Sequence, residues 1–513
     1  MTDHVTLRRG AYHDSVTLMR ITQAATAAVG VTVAQVAMAT ALNIELTTDL
    51  GFEVPADAGP NDLLVAVRAD DETGIAAGIA AVDAALAASG RPSSIGGGGF
   101  GAPIAPRTVR SAARAAPDAA VVLLSVPGPS VIGEAMDALG AGRHVMIFSD
   151  NVPLEHELAL KQTAAQRGLL VMGPDCGTAI VSGVGLGFAN VLGAADEGPR
   201  VGIIAASGTG AQQVSCLLDE ADVSISHLLG VGGRDLSETI GGASAMQALR
   251  MLDADPTTDH IVIVSKPPHP SAERAVLAAA AAGATPVTTV LIGAGRPDLT
   301  AGVEAVLAAI GVEPPWWPSW SAGRAKPDAH HGALRGLYAG GTLADEAMVV
   351  AGRTLGDIRS NIPLRPDLAL TSGGGGVPDL SGAGHVVVDL GDDAFTLGRP
   401  HPMIDPTVRL ELLAQQAADP DVRVILLDVV LGHGAEPDPS ARLAPAIRGA
   451  LDAAGRPLTV VVSLCGTAFD PQDREAQSAS FVRAGAAVFY SNAAAAAAAA
   501  AVAAGIEPAG GRG

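Results

Sequence analysis

Short runs of aliphatic residues recur along the chain and alternate with longer stretches rich in Ala, Leu and Glu. Each run has the length of a β-strand and is bounded by Gly, Pro or Asp, whereas stretches such as 153–167 and 271–282 have helical length. This alternation predicts an α/β fold with doubly wound parallel sheets. Ligands bind such sheets beyond the carboxyl ends of the strands, so we expect the functional residues in the loops that follow. The predicted strands are 63–67, 121–126, 144–148, 169–172, 201–205, 260–264, 287–292, 386–390, 422–430 and 458–464.

Two segments have the composition of linkers. Residues 90–106 are rich in glycine, and residues 311–327 are rich in Pro and Trp. The length of 513 residues is enough for about three domains of ordinary size. We predict boundaries near residues 195 and 325, which gives domains over 1–195, 196–325 and 326–513.

The blocks before and after the second linker have a similar order of elements, which indicates a diverged repeat. In the first block, the strand VGIIA leads into the turn SGTG and then into a helix. In the second block, a short strand leads into the turn GGT and another helix. Two copies related by a pseudo-twofold axis would direct both helix starts toward a shared cleft.

These two turns are the strongest candidates for an anion site. The free N–H groups of a helix's first turn and the helix dipole favour phosphate or carboxylate, and glycine lets the anion approach the backbone. The alternative is a plain Ser/Thr helix cap. Neither turn is followed by Gly-Lys-Ser or Gly-Lys-Thr, so the chain is not a P-loop NTPase. The candidate phosphate-binding residues are Ser207, Gly208, Thr209, Gly210, Gly340, Gly341 and Thr342.

The composition narrows the function classes. With 32 Lys+Arg against 53 Asp+Glu, the formal net charge is −21, which disfavours binding to nucleic acid or to an anionic membrane surface. The N-terminal residues show no apolar signal segment, and the Ala-rich run 493–504 is too short to cross a membrane, so we expect a cytoplasmic chain. The three cysteines are far apart in sequence, and the 12 histidines include no HExxH pair, so neither a disulfide framework nor a zinc site is indicated.

Two loops, which follow the predicted strands 144–148 and 169–172, are candidates for cofactor binding. Residues 149–151 could bond to ribose or amide groups, or could cap the next helix. Residues 173–178 could form a ligand-facing crossover with Cys176 as a nucleophile, although a tight turn with a small buried cysteine is the alternative that we favour. The candidate cofactor-binding residues are Ser149, Asp150, Asn151, Gly173, Pro174, Asp175 and Cys176.

A loop in the second block places Arg399, His401 and Asp405 within eight residues. Arginine binds carboxylate or phosphate in a bidentate manner, and histidine is an acid or base near neutral pH, so these three are the candidate catalytic residues. A rigid surface loop with an Arg–Asp pair is the alternative. Further candidates lie in two places. The aspartates one loop earlier could bind Mg²⁺ or could cap a helix. The other residues could line the same cleft, or could be solvated charges beside turns. These further candidates are Gly232, Gly233, Arg234, Lys266, Asp389, Asp392 and Asp393.

Several motifs then resemble a known family. Residues 118–178 look like the CoA-binding domain of the succinyl-CoA synthetase alpha subunit, and residues 200–266 are similar to that subunit's ligase domain. Residues 336–430 resemble the C-terminal ligase domain of the beta subunit. The motifs GPDCGT, SGTG, VGGRDL, GLYAGGTLADEA and VVVDLGDDAFTLGRPHPMIDPT match the FdrA family. The resemblance implies a Rossmann-like CoA-binding-type domain followed by two flavodoxin-like ligase domains.

The sequence also departs from the synthetase. The segment 290–302, VLIGAGRPDLTAG, has no histidine where the synthetase alpha subunit carries a phosphorylated one. Nothing of the length of the beta subunit's ATP-grasp domain precedes the second block, so we do not expect this chain alone to couple NTP hydrolysis to thioester formation. No cofactor is certain; CoA and Mg²⁺ are candidates.

The family resemblance implies a subunit of a carbamoyl- or acyl-phosphate transferase. Such an enzyme interconverts oxalurate plus phosphate with oxamate plus carbamoyl phosphate, and the expected partners are a small phosphate or carboxylate substrate and other subunits of the enzyme. The first alternative is an NDP-forming acyl-CoA ligase or its relic, with CoA bordered by residues 149–151 and 173–178. The second alternative is a non-catalytic scaffold that assembles partner enzymes.

Overall fold

The computed structural model describes residues 1–9, 11, 13, 15–60, 62–89, 106–193, 198–321, 331–370, 380, 382–396 and 401–506. Its contacts divide the chain into two compact units, residues 1–115 with 396–405 and residues 116–395 with 406–513. The predicted boundary positions 195 and 325 lie outside the described residues, as do most of the linker 90–106 and part of the linker 311–327. Among the described residues, no helix is both long and apolar enough to span a bilayer.

The first unit contains a small antiparallel sheet with the strand order β1-β3-β2. Its core consists of aliphatic residues such as Leu18, Ile21, Val65 and Val82, which α1, α3 and the sheet contribute. The elements of this unit are β1 (Thr2–Arg8), α1 (Ser15–Thr26), β2 (Val31–Met38), α2 (Ala41–Asp49), β3 (Leu63–Ala69), α3 (Glu72–Ser89) and α4 (Val109–Ala115).

The second unit begins with a parallel sheet of order β4-β5-β6. Helices α5 and α6 follow its first two strands, as expected for β-α-β crossovers. The chain then enters a β-hairpin, β7 and β8, which joins the next sheet along the chain. These elements are β4 (Val121–Leu124), α5 (Val131–Gly140), β5 (His144–Ile147), α6 (Leu154–Gln166), β6 (Val171–Met172), β7 (Thr178–Val181) and β8 (Val184–Gly187).

The prediction of one Rossmann-like domain over residues 1–195 differs from the structure. The described strands of this range belong to separate sheets, and those before residue 70 pair antiparallel within a compact unit of their own. Aliphatic runs identify strands, but they carry no information about strand direction or sheet membership, because both depend on pairing with distant residues.

The middle sheet has the order β12-β11-β9-β10-β7-β8. Strands β9 to β12 are parallel, and β7 pairs antiparallel with β10. The order β10-β9-β11-β12 is the 2-1-3-4 order of flavodoxin-like sheets, so the predicted fold class is confirmed here. The elements are β9 (Arg200–Ala206), α7 (Gly208–Glu220), β10 (Ser224–Gly230), α8 (Ala243–Asp253), β11 (His260–Ser265), α9 (Pro270–Ala282), β12 (Val287–Leu291) and α10 (Leu299–Ile310).

The C-terminal sheet has the order β13-β18-β17-β16-β14-β15. Strands β14 to β18 are parallel in the 2-1-3-4-5 order, and β13 pairs antiparallel with β18 at one edge. The predicted repeat is thus visible as two sheets of the same topology. The elements are β13 (Ser319–Trp320), β14 (Ala333–Tyr338), α11 (Gly341–Leu355), β15 (Val386–Asp389), α12 (Asp393–Thr396), α13 (Thr407–Ala418), β16 (Val422–Val430), α14 (Pro439–Ala453), β17 (Thr459–Cys465), α15 (Arg474–Ala484), β18 (Ala487–Phe489) and α16 (Asn492–Ala503).

A buried ion-pair network fastens α6 to the middle sheet. The Nζ atom of Lys161 lies 2.8 Å from the Glu157 carboxylate, 2.7 Å from that of Asp235 and 2.9 Å from the carbonyl oxygen of Val231. Asp235 also accepts hydrogen bonds from the first-turn N–H groups of α8 at 2.9 and 3.0 Å. Because the three charged side chains are at most 1% exposed, removing one leaves the others without compensation.

We predict that Lys161→Met lowers the free energy of unfolding by about 3–5 kcal/mol, the usual effect of leaving a buried carboxylate unpaired. Urea unfolding measures the difference. The exposed Arg274 lies on α9, and Arg274→Gln is the matched control with an expected change within about 0.5 kcal/mol. A Lys161→Met chain as stable as the parent would show that the network contributes little.

Candidate functional site

The SGTG turn lies at the carboxyl end of a buried strand, as expected. Ser207 is the N-cap of α7, and its Oγ accepts a hydrogen bond from the N–H of Gly210 at 3.0 Å. The extended backbone of Ser207 lets the chain leave β9 and enter the helix without a longer loop. The GGT turn occupies the same place in the C-terminal sheet, with Gly340 as the N-cap of α11.

The structure brings the two helix starts into direct contact. The Oγ of Ser207 donates a hydrogen bond of 2.5 Å to the Oγ1 of Thr342, and both side chains are buried. A Cβ atom added to Gly340 would lie 2.6 to 2.8 Å from the side chain of Thr209. A Cβ atom added to Gly210 would meet Thr342 at 2.9 Å. The helix starts therefore touch, and glycine is required because no side chain fits between them.

Part of this contact remains accessible to solvent. Gly208 is exposed, and Thr209 and Gly341 are half-buried, whereas the other four residues of the two turns are buried. The first N–H groups of a helix have no partner within the helix, and each helix start carries about half a positive charge. The accessible edge of the contact therefore combines unpaired donors with positive potential, which suits an oxyanion.

The buried carboxylate of Asp428 fixes the position of the GGT turn through hydrogen bonds to its backbone. Asp428 on β16 accepts hydrogen bonds from the N–H groups of Ala339 and Gly340 at 2.8 and 2.9 Å. Arg409 on α13 lies 2.8 Å from the same carboxylate and also bonds to the carbonyl oxygen of Leu337. The turn is thus fixed by charged side chains that the motif itself does not contain.

Two further carboxyl groups lie near this turn and share one cationic neighbour. Asp389 ends β15, and its Oδ1 accepts a hydrogen bond from the N–H of Gly391 at 2.9 Å. Burial raises the pKa of Asp389 to about 8 and that of Asp345, on α11, to about 7. Lys266, at the end of β11, opposes both shifts, so its ammonium group lies within electrostatic range of both carboxyls.

The predicted cofactor loops also come together. The N–H of Asp175 donates to the carbonyl oxygen of Ser149 at 3.0 Å, so the loops after β5 and β6 pair directly. Gly232, with a φ of 91°, packs against the Gly173–Pro174 turn, where an added Cβ would lie 2.7 Å from the Pro174 carbonyl oxygen. The Oγ of Ser149 is buried and has no hydrogen-bond partner among the described residues. Asp150 and Asn151 are exposed.

Cys176 does not have the environment of a nucleophile. Its side chain is 3% exposed, and burial raises the pKa of the thiol to about 12. A thiol with such a pKa is protonated near neutral pH, and the thiolate is the reactive form. The alternative of a small buried cysteine in a tight turn therefore describes this residue.

Residues of the VGGRDL motif have two roles: Arg234 forms polar contacts, and Gly233 and Arg234 line a cavity. Arg234 bonds to Glu157 at 2.9 Å and to the carbonyl oxygen of Val152 at 2.8 Å, so its guanidinium extends the network around α6. Gly233, Arg234 and Lys266 line a cavity of about 470 Å³. The other lining residues are Leu236, Ser237, Glu238, Ser265, Pro267, Pro268, His269 and Pro270.

The structure does not bring the three candidate catalytic residues together with the two helix starts. Arg399 lies outside the described residues, and His401 and Asp405 belong to the first compact unit, whereas both helix starts belong to the second. The Nδ1 of His401 accepts a hydrogen bond from the N–H of Met403 at 3.2 Å. The catalytic assignment of these three residues stays a prediction.

Asp392, in the loop after β15, is placed as a helix cap. Asp392 accepts a hydrogen bond from the N–H of Ala394 at 3.0 Å, which is the capping alternative. The side chain of Asp393 lies outside what the structure describes. Within the described part of the chain, no cluster of three or more His, Cys, Asp or Glu side chains is arranged to hold a metal ion.

Sequence reasoning did not select Asp345, Asp428 or Arg409. Asp428 left a signal, because an acidic residue interrupts the aliphatic run VILLDVV and a strand buried on both faces pairs any charge that it contains. Asp345 and Arg409 follow ordinary helical patterns, and their burial depends on the neighbouring elements.

Comparisons with known proteins match three parts of the chain. Residues 1–99 match the family model described as the AllF heavy metal-associated domain, residues 196–293 match the CoA binding domain, and residues 337–502 match CoA-ligase. The CoA binding match covers the range predicted as the first ligase-like domain. The CoA-binding assignment of residues 118–178 stays a prediction.

Three similar proteins cover different shares of this chain. The uncharacterized protein YahF of Escherichia coli is 36% identical over 94% of this chain and 95% of its own length. The alpha subunit of the ADP-forming succinate–CoA ligase of Methanothermobacter thermautotrophicus is 26% identical over 30% of this chain, which spans 50% of that relative. A dinucleotide-forming acetyl-coenzyme A synthetase of Ca. Korarchaeum cryptofilum is 18% identical with a TM-score of 0.30, over 80% of this chain and 87% of the other.

The name of the first family model raises the question of a heavy metal. Soft metals of this kind are bound mainly by thiolates, and the cysteines of this chain are Cys176, Cys216 and Cys465, all outside residues 1–99. The donor set of this segment therefore does not fit a thiolate metal site, and we derive no function from such a metal.

We predict that Gly340→Ala lowers the free energy of unfolding by about 1–3 kcal/mol, because the new Cβ overlaps the side chain of Thr209. Gly352→Ala on the same helix is the control. A Cβ at Gly352 has no atom within 4 Å, so this variant should gain up to about 1 kcal/mol from helix propensity. Equal urea-unfolding curves for the two variants would show that the helix starts tolerate a side chain.

We also predict that Asp389→Asn reduces the pH dependence of stability. The carboxyl of Asp389 has a pKa of about 8 in the folded chain, whereas an unfolded chain has about 3.9, so the folded state holds this proton over the interval between them. Stability contributed by the protonated form is therefore lost as the pH rises toward 8. Urea unfolding at pH 5 to 8 should show a smaller decline for Asp389→Asn than for the parent, with the exposed Asp118→Asn as the control. An equal decline would contradict the assignment.

Proposed function

Since the chain belongs to the FdrA family of succinyl-CoA synthetase-like proteins, as its relative YahF does, we propose that it carries out the acyl-transfer half of acyl-CoA synthetase chemistry. In this reaction a phosphate oxygen bonds to the acyl carbon of a CoA thioester, the C–S bond breaks, and the sulfur takes a proton. The products are an acyl phosphate and CoA. The observation that carries the proposal is the contact of two helix starts with an accessible edge at Gly208, Thr209 and Gly341.

The protein groups at this edge suit the charge of phosphate and of the transition state. Backbone N–H donors that are fixed before the reaction stabilise developing oxyanions without reorganisation. The hydrogen bond between Ser207 and Thr342 fixes both donor sets relative to each other. Because the net charge of the chain is −21, its overall electrostatic field does not attract anions. An anion would instead be bound by these local N–H donors and by the nearby Lys266.

CoA is the carrier that the family models favour, and when bound it supplies the thiol that carries the acyl group. The paired loops after β5 and β6 fit this role, because the buried Oγ of Ser149 has no partner among the described residues and Asp150 and Asn151 are exposed. These loops follow the carboxyl ends of parallel strands, where doubly wound sheets bind nucleotides.

The segment 290–302 supports a reaction without a phosphorylated enzyme. It contains no histidine, and its arginine, Arg296, pairs with Glu273 at 2.9 Å. Asp298 caps α10 through the N–H of Ala301. Phosphate and acyl phosphate would then stay non-covalently bound between the helix starts throughout the reaction.

The same observation favours a second candidate, transfer of a carbamoyl group to phosphate. Carbamoyl phosphate is an acyl phosphate whose acyl carbon carries an amino group, so the same donors would bind it, and its formation from oxalurate needs neither a phosphohistidine nor an NTP. In this reading the chain acts with other subunits of the enzyme.

The prediction that tests the proposal uses succinyl-CoA and phosphate as substrates, with release of free thiol as the measurement. Thiol release should require phosphate, and Ser207→Ala should reduce its rate by about 100-fold because the donors of both turns lose their relative position. Ser480, a half-buried residue of α15, provides the control, and Ser480→Ala should keep the parent rate.

A second arm replaces the thioester with carbamoyl phosphate and oxamate and measures phosphate release. Activity in this arm alone, again sensitive to Ser207→Ala, would favour the carbamoyl candidate over the thioester reaction. If neither arm responds to Ser207→Ala when the chain is assayed with its partner subunits, the two helix starts are not the reaction site.

A further inference from the structure

The side chain of Asp389 reaches from the end of β15 to the start of α11. The backbone N–H and carbonyl oxygen of Asp389 both bond to the side-chain amide of Asn361 at 2.9 Å. Its Oδ1 accepts a hydrogen bond from the N–H of Gly391 at 2.9 Å. The second oxygen, Oδ2, lies so close to Gly341 that a Cβ atom placed there would be 2.6 Å away. Three bonds therefore fix the residue with Oδ2 against the accessible edge of the two helix starts.

The Oδ2 atom of Asp389 lacks a partner. In the part of the chain that the structure describes, no hydrogen bond or ion pair reaches this oxygen, although the residue is only 7% exposed. A buried polar atom without a partner is uncommon, because its desolvation is not compensated. A ligand bound at the accessible edge would supply the missing partner.

The equivalent position of the middle sheet carries no carboxyl group. The residue after Asp389 donates a 2.8 Å hydrogen bond to β14, and the residue after Gly230 donates an equal bond to β9, so the two positions correspond. A Cβ atom at Gly230 would lie 2.6 Å from the Sγ of Cys176 and from the carbonyl oxygen of Thr178. The middle sheet therefore has no room for a side chain here, and of the two positions only the one beside α11 carries a carboxyl group.

The protonation state of Asp389 decides whether it attracts or repels an anion. An ionised carboxylate only accepts hydrogen bonds, whereas a protonated carboxyl group also donates one. Burial raises the pKa of Asp389 to about 8. The neighbouring charges act in both directions, since Asp392 and Asp428 raise this pKa and Lys266 lowers it. Near neutral pH the group is therefore protonated and is a hydrogen-bond donor.

We infer that Asp389 belongs to the anion site and binds the anion as a neutral acid, with its Oδ2–H donating a hydrogen bond to an oxygen of the bound phosphate. The N–H groups of the helix starts and this O–H group then donate to the same oxyanion. Ionisation of Asp389 would remove the donor and place a negative charge beside the anion. The inference rests on the proposed function, because it assigns a further residue and a pH dependence to the same phosphate site.

Isothermal titration of the full chain with sodium sulfate tests the inference. Sulfate has the tetrahedral oxygens of phosphate, but its charge is the same at pH 7 and pH 9, so a change in affinity comes from the protein. We expect sulfate to bind about tenfold more weakly at pH 9 than at pH 7, because the fraction of chains that hold the proton falls by that factor. Circular dichroism at both pH values checks that the chain is folded.

Variants of Asp389 separate the donor from the charge. Asp389→Asn has the same shape and keeps a donor that does not titrate, so its sulfate affinities at the two pH values should agree within about twofold. Asp389→Ala should bind sulfate about tenfold more weakly than the parent at pH 7, through the loss of a hydrogen bond to a charged group. If Asp389→Ala fails to fold, the comparison of Asp389→Asn with the parent decides alone.

Two further variants are the controls. Ser207→Ala should weaken sulfate binding, which would show that the ion binds at the helix starts. The exposed Asp118 precedes β4, and Asp118→Asn should show the same tenfold difference between pH 7 and pH 9 as the parent. Asp345→Asn should also keep this difference, although burial raises the pKa of Asp345 to about 7.

A tenfold difference that persists in Asp389→Asn would overturn the inference, and so would one that disappears only in Asp345→Asn. A parent chain that binds sulfate equally at both pH values, or not at all, would overturn it as well. The titration contains neither CoA nor a thioester, so its result is independent of turnover. The expected sulfate profile without phosphate-dependent thiol release would contradict the proposed function alone. Thiol release at the parent rate in Asp389→Ala would contradict the inference alone.

Discussion

Helices α7 and α11 begin in contact, with the positive ends of both dipoles side by side. This arrangement is electrostatically unfavourable unless negative groups or acceptors lie close to the two helix starts. Asp428 supplies part of the compensation by accepting hydrogen bonds from the N–H groups of Ala339 and Gly340. The close approach also requires glycine at Gly210 and Gly340, because a Cβ atom at either position would overlap the opposite turn. The site is therefore a consequence of how the two sheets pack.

Buried hydrogen bonds across the same interface keep the helix starts in place. Glu346 accepts from the N–H of Leu299 at 2.6 Å and from the side chain of Asn492 at 2.7 Å, so it joins the starts of α10 and α16. Tyr490 donates to the carbonyl oxygen of Cys216 at 2.7 Å. Each bond satisfies a group that would otherwise be buried without a partner. Shifting the two sheets relative to each other would break these bonds, so they fix the arrangement of the interface.

The repeat explains both the symmetry and the asymmetry of the structure. Two sheets of one topology present equivalent strand ends, yet Asn190, in the segment after β8, bonds to Leu431 and Asp470 beyond the strands of the C-terminal sheet. The side chains of the two helices also differ. Gln212 on α7 donates to the carbonyl oxygen of Phe188 and to Asn190, whereas Asp345 on α11 has no hydrogen bond within the described residues.

The sequence by itself determined the alternation of strands and helices, the repeat of two similar blocks and the SGTG and GGT turns, although the predicted strands lacked β1, β2 and β10. Periodicity, caps and glycine turns are encoded within a few neighbouring residues, so they can be identified before any folding is known. Tertiary structure alone decided that the first strands pair antiparallel in a separate unit, that Lys161 meets Asp235, and that Asp345 is buried. Strand direction, ion pairing and burial depend on residues tens to hundreds of positions apart, and no local pattern carries that information.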